Sequence, residues 1–168
     1  TPIPRTLAMT LYGNLDYSVI DEMPMGRKKI DTIALSEDRR NEIFKRIILK
    51  CKEGNQVYWV CPLINESEVM ECKAAISTYE ELNNKLKELN VGLIHGKMKM
   101  NEKEKVMNDF RNKKIDLLVS TTIIEVGLDV PNATVMIIEN SERMGLSQLH
   151  QLRGRVGRGE KKSTCILI

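Results

Sequence analysis

Five short apolar runs punctuate this chain, and helical patterns separate them. The runs are "QVYWVC" (56–61), "VGLIH" (91–95), "IDLLVS" (115–120), "TVMIIE" (134–139) and "STCILI" (163–168), with "KIDTIAL" (29–35) as a sixth candidate. Most are continuous rather than alternating, which is the pattern of strands covered on both faces. Between them, residues 37–52 place Ile43, Phe44, Ile47, Ile48 and Cys51 on one helical face. Residues 67–89 repeat Val69, Cys72, Ile76, Tyr79, Leu82, Leu86 and Leu89 at steps of three and four. Residues 101–112 turn Val106, Met107 and Phe110 inward, with Asn101 as the expected N-cap and Glu104 at the capping-box position. Strand and helix in alternation require crossover connections and a parallel sheet with helices on both sides. The expected fold class is therefore α/β, with a mostly parallel sheet between helical layers.

In such sheets ligands gather beyond the carboxyl ends of the strands. That directs attention to three loops: "HGKMKM", "STTIIEVGLDVPNA" and "NSERMGLSQ". The chain's 168 residues, 42% hydrophobic and 29% charged, suit one soluble domain with a sizeable core. Its net charge of +3 is too small for a general polyanion binder, so any nucleic-acid contact must come from local patches. The four cysteines form no C-x-x-C pair and lie in apolar stretches, which points away from zinc and towards buried free thiols in a reducing compartment. Nothing approaches membrane-spanning length. The chain opens on Thr1 without a leader, and the Pro/Gly breaks up to Met25–Arg27 give 1–25 the look of another domain's tail. The expectation is an excised piece of a longer protein, with its own domain running from 26 to 168.

The stretch "QLHQLRGRVGRGE" crowds Arg153, Arg155 and Arg158 among three glycines. If 146–156 is helical, Gln151, Arg155 and Arg158 share a face, and Arg153 points away. Guanidinium forks suit phosphate oxygens, and the glycines permit close backbone approach. The bland reading is an exposed basic helix end. The G-x-x-G-x-G spacing is not a dinucleotide fingerprint, which reads G-x-G-x-x-G. After the run 115–120, Ser120, Thr121 and Thr122 offer hydroxyls and backbone N–H groups to a phosphate backbone. Gly127 and Asp129 can serve a ribose hydroxyl or orient an arginine, although "GLDVPNA" also reads as a plain turn. His95 reads as a hydrogen-bonding loop residue beside a basic lip, Lys97 and Lys99. No G-x-x-x-x-G-K-[ST] loop and no acidic pair for Mg²⁺ appears. The chain has arginines for a phosphate and no cradle for it.

These stretches together resemble a known family. "QLRGRVGRG" resembles motif VI of superfamily 2 helicases, "VSTTIIEVGLDVPNA" is similar to motif V, and "VYWVCPLI" with "LIHGKM" is similar to regions IV and IVa. "TPIPRTLAMTLYG", "SVIDEMPMGRKKIDT" and "ENSERMGLSQLHQLRGRVGRG" resemble RecG-type DNA helicases. The resemblance implies a RecA-like, P-loop NTPase-type fold: the second of two motor domains, preceded by a tail of the first. It implies an ATP-dependent helicase that remodels branched or forked DNA, in a cytoplasmic, nucleoid-associated bacterial setting, as a monomer. A similar motif set occurs in transcription-repair coupling translocases, and an isolated piece without ATPase activity would be a nucleic-acid-binding module.

Carried over by residue, Arg158 is implied as the arginine finger, with Arg155 beside it and Gln151 organising the interface. Gly127 and Asp129 are implied near the nucleotide. Ser120, Thr121, Thr122, His95 and Lys97 are implied at DNA, and Arg5 and Thr6 in the segment that couples hydrolysis to DNA grip. ATP and Mg²⁺ would be held mainly by the first motor domain. That domain and a wedge domain would be partners in the same chain. No metal ligand is implied here.

Overall fold

The computed structural model describes residues 28–62, 68–122 and 130–168. All six expected strands are present: β1 (Asp31–Ala34), β2 (Gln56–Val60), β3 (Val91–Ile94), β4 (Leu117–Ser120), β5 (Ala133–Ile138) and β6 (Thr164–Leu167). Four helices join them: α1 (Arg40–Lys52), α2 (Glu68–Lys85), α3 (Met100–Arg111) and α4 (Leu146–Arg153). The sheet runs β1-β6-β5-β2-β4-β3, and every pairing is parallel.

Side chains alternate across the sheet with the period of two that a strand imposes. Val57 and Trp59 of β2, Val119 of β4 and Ile137 of β5 meet α1 and α2 through Ile43, Ile47, Ala75 and Leu82. Tyr58, Val60, Leu118, Met136 and Ile138 face the other way, onto Met107 and Phe110 of α3 and Leu152 of α4. Two cores result, one on each side, which explains why β2, β4 and β5 are buried along their whole length. The edge strand β1 is exposed throughout.

Three local expectations shift. The buried stripe of α2 runs through Cys72, Ala75 and Leu82, while Ile76 lies outward at 37% exposure. A methyl group at position 75 lets the helix lie close to the sheet. The first turn of α3 begins two residues early: Glu102 Oε2 accepts from the backbone N–H of Lys99 (3.0 Å), and Asn101 Oδ1 accepts from Glu102 N (2.9 Å). The carboxylate at the third helical position fixes the start, so Lys99 takes the N-cap place. Lastly, α4 stops at Arg153 and not at 156. Gly154 is its C-cap, and the bonds from Arg155 N to Leu152 O (2.9 Å) and Val156 N to Arg153 O (3.4 Å) tighten into three-residue turns.

The direction of the connections reverses between β2 and β5. The chain leaves β2 through α2 towards β3, and leaves β5 through α4 towards β6 on the opposite side. The carboxyl ends of these two strands therefore flank the switch point of the sheet.

Candidate functional site

The site residues divide between the two edges of the sheet. At the carboxyl edge, Thr121 N donates to Ile94 O (3.3 Å), which sets the start of the hydroxyl run beside the His95 loop. Ser120 and Thr121 are buried, and Thr122 is half-buried. The Ser120 Oγ is enclosed without a hydrogen-bond partner, as is His95 Nδ1. Ordinary folding leaves few such atoms unpaired. Met98 N donates to His95 O (3.2 Å), and Lys103 Nζ donates to Gly96 O (2.7 Å), so the loop is pinned to α3. Burial holds the His95 imidazole below its ordinary value, and the charges of Lys103 and Lys97 add to the effect. His95 is thus neutral at pH 7, while Lys97 and Lys99 stand exposed around it.

The arginine turn lies at the other edge. A methyl group on Gly157 would come within 2.9 Å of Ile30 Cγ1 and 3.6 Å of Ser163 Cβ, residues that immediately precede β1 and β6. One on Gly159 would come within 2.9 Å of Pro131 O, just before β5. Arg155 and Arg158 therefore sit at the amino ends of β1, β5 and β6, away from the carboxyl-end loops on which the strand-end rule focuses. Gly157 has φ +72°, a conformation that side-chain-bearing residues avoid. Val156, fully buried between the two arginines, anchors the turn in the core.

Arg158 is exposed and Arg155 half-buried. Arg158 Nε donates to Gly154 O (3.2 Å), so the side chain folds back over the end of α4. Gln151 is half-buried one turn earlier, on the helix that ends at this bend. The early stop at Arg153 means that Gln151 lies on the helix while Arg155 and Arg158 lie on the turn that follows, and not on one continuing helical face. Arg153 points elsewhere, as its place on the helix predicts: its Nη2 lies 3.0 Å from His150 Nδ1, in a groove floored by Cys165 and Leu167. Gly127, Asp129, Arg5 and Thr6 lie outside the described residues. Among the described residues, no group of three or more His, Cys, Asp or Glu side chains is arranged to hold a metal ion, and no helix is long and apolar enough to cross a membrane. All four cysteines are free and buried, and burial pushes the Cys51 thiol up to about 12 and that of Cys165 up to about 11.

A third group of residues gave little sign of itself in the sequence. Glu139, just past β5, pairs with Arg40 of α1: Glu139 Oε1 is 2.7 Å from Arg40 Nη1. Arg40 also reaches Glu81 of α2 (3.1 Å) and lies over the Trp59 ring, 5.0 Å from its centroid. The available signal was a single carboxylate ending the run "TVMIIE" that otherwise reads as fully buried.

The parallel sheet thus carries a hydroxyl run and a basic lip at one edge and a glycine-bent pair of arginines at the other. Residues 39–160 match the helicase conserved C-terminal domain, and the chain belongs to that family. Its relatives include RecG helicases. The chain is 60% identical to the ATP-dependent DNA helicase RecG of Haemophilus influenzae and to that of Escherichia coli K12, over all of its own length and 24% of theirs. It is 52% identical to RecG of Bacillus subtilis, covering 25% of that protein. A solved structure of RecG bound to a three-way DNA junction superposes with a TM-score of 0.80 at 48% identity, over 99% of this chain and 22% of that one. Dbp5 of S. cerevisiae, at 17% identity and a TM-score of 0.67, shares the fold. The chain thus spans about a quarter of the length of the RecG proteins it matches.

Proposed function

We propose that this chain is the second motor domain of an ATP-dependent DNA helicase that remodels branched DNA, such as forks and Holliday junctions. Residues 1–25 belong to the first motor domain in this reading, and a wedge domain elsewhere in the same chain selects the junction. The observation that carries the proposal is the arginine turn, locked against Ile30, Pro131 and Ser163 by glycines that leave no room for a side chain.

A turn packed this closely sets where the backbones of Arg155 and Arg158 stand, and their guanidinium groups, once docked, stabilise charge on a transferring phosphoryl group. Arg158 acts as the finger, Arg155 as its neighbour on the phosphates, and Gln151 sets the interface. Gly127 and Asp129 sit near the nucleotide. ATP and Mg²⁺ are held mainly by the first motor domain, where the ion neutralises phosphate charge. Closure of the two domains brings the arginines to the phosphates, and reopening shifts the DNA contacts. Those contacts are made by the accessible Thr122, His95 and Lys97, with the buried Ser120 and Thr121 shaping the edge beneath them, and Arg5 and Thr6 link them to hydrolysis.

The test is an ATPase assay of the intact protein on forked and on linear duplex DNA. Stimulation by DNA, stronger for the fork, is expected. Turnover indifferent to DNA would refute the reading.

A further inference from the structure

Glu139 is the meeting point of four elements. Its backbone N–H donates to Val60 O (3.0 Å), at the carboxyl end of β2. Its Oε1 is paired with Arg40 Nη1 at the start of α1. Its Oε2 accepts from Thr78 Oγ1 of α2 and from the Cys61 thiol, each at 3.4 Å. Burial first, and the Glu139 charge second, push the Cys61 thiol well above its ordinary value, so it stays protonated and donates. The next peptide along, Cys61 N, donates to Ser120 O (2.8 Å). A continuous set of contacts therefore runs from Ser120 through Cys61 to Glu139 across the switch point of the sheet.

Past Glu139 the chain turns sharply. Asn140 adopts the left-handed region (φ 45°), Ser141 N donates to Ile168 O (2.9 Å), and α4 begins six residues later. That helix spans the sheet and ends in the arginine turn. Glu139 thus stands where the segment carrying Gln151, Arg155 and Arg158 departs from the edge that carries Ser120–Thr122.

The carboxylate is largely enclosed, with its side chain 12% exposed and that of Arg40 18%. Removing one member of such a pair leaves the other charge desolvated and uncompensated, so this geometry resists small displacements. We infer that Glu139 is a positioning residue that holds the start of the α4 segment in register with the Ser120–Thr122 edge, so that nucleic-acid contact at one edge sets the arginines at the other. This inference rests on the helicase reading above. Glu139 touches neither DNA nor nucleotide in it, and acts through Cys61 and α4.

The experiment measures ATP turnover of the intact helicase with and without forked DNA, for the wild type, Glu139→Gln and Thr78→Val. Glu139→Gln keeps the shape and removes the charge that Arg40 faces. Its expected effect is a fall of about tenfold in stimulation by DNA, a size common for coupling between sites, with turnover in the absence of DNA unchanged. Thr78→Val removes one donor to the carboxylate and is expected to lower stimulation in the same direction, by less. Either role lowers the melting temperature, because Arg40 loses a buried partner, but a purely structural role would scale both activities together. Full stimulation in both variants, or proportional loss of both activities, overturns the inference and leaves the helicase reading standing. If Glu139→Gln does not fold, the ratio in Thr78→Val decides: a lowered ratio supports coupling and an unchanged one overturns it. A wild type that DNA does not stimulate refutes the helicase reading, and this inference with it.

Discussion

Arg158 Nε is bound to the carbonyl oxygen of Gly154 at 3.2 Å, so the outermost arginine of the turn is held against the end of its own helix. A guanidinium in that pose satisfies a helix-terminal carbonyl that would otherwise need water. In the finger role proposed for it, the Nη groups, which this bond does not engage, offer a phosphate the parallel pair of donors that suits its oxygens.

Arg158→Ala in the intact protein is expected to lower ATP turnover by about 10³–10⁵, the range set by arginine fingers in other NTPases. DNA binding is expected to persist, because the hydroxyl run and the basic lip lie at the opposite edge. Arg158→Lys is expected to fail nearly as badly, since an ammonium group cannot reproduce the planar fork. Steady-state turnover and a DNA-binding titration on the same preparations check this, and normal turnover in Arg158→Ala would remove the finger assignment.

Gly157 makes a sharper stability prediction than any other residue of the turn. Its φ of +72° costs a side-chain-bearing residue about 1–2 kcal/mol, and an added methyl group must also displace Ile30. Gly157→Ala should therefore lose at least that much in denaturant unfolding. Gly96→Ala is the control, since a methyl there meets nothing within 4 Å. Equal midpoints for the two variants would show that the turn tolerates a side chain.

The strands were legible because β2, β4 and β5 are buried on both faces, and continuous apolar runs have few other uses in a soluble chain. Strand order was not legible. β2 sits between β4 and β5 and not beside β3, a choice made by long-range packing of Val57 and Trp59 on one face and Tyr58 and Val60 on the other. The helix end at Arg153 was written in Gly154, yet the extended helical face drew attention past it. The strand-end rule led to Ser120–Thr122 and His95, which do lie at the carboxyl edge, and pointed away from the amino edge where Arg155 and Arg158 lie. Glu139 and Arg40 stayed hidden because a single charged residue at the end of an apolar run is also what a strand boundary looks like.

Gln56 is a further residue whose role only packing reveals. It opens β2, is 2% exposed, and its Nε2 donates to both Phe110 O at the end of α3 and Ile115 O before β4. Gln56→Met keeps the length and removes the donor. Ile115 O then loses this donor, Phe110 O keeps the bond from Lys113 N (3.1 Å), and the expected destabilisation is about 1–3 kcal/mol. Chemical unfolding measures it. A variant as stable as the wild type would mean that water replaces the amide.

His95 offers a test, through its titration, of the edge proposed to face DNA. Burial, then the charges of Lys103 and Lys97, disfavour the imidazolium in the folded chain, so its folded value lies below the unfolded value of about 6.5. The unfolded state then binds the proton more readily. Stability contributed by the neutral ring is complete above the unfolded value and is lost as pH falls from there through the lower folded value. NMR titration of the ring should show this directly, and Lys103→Ala should move the midpoint up, though not fully back, because burial remains. A phosphate beside the ring favours the charged form. Adding branched DNA should therefore raise the His95 midpoint in the intact protein. A midpoint that DNA leaves unmoved would take His95 out of the proposed interface while leaving the proposal for Thr122 and Lys97 standing.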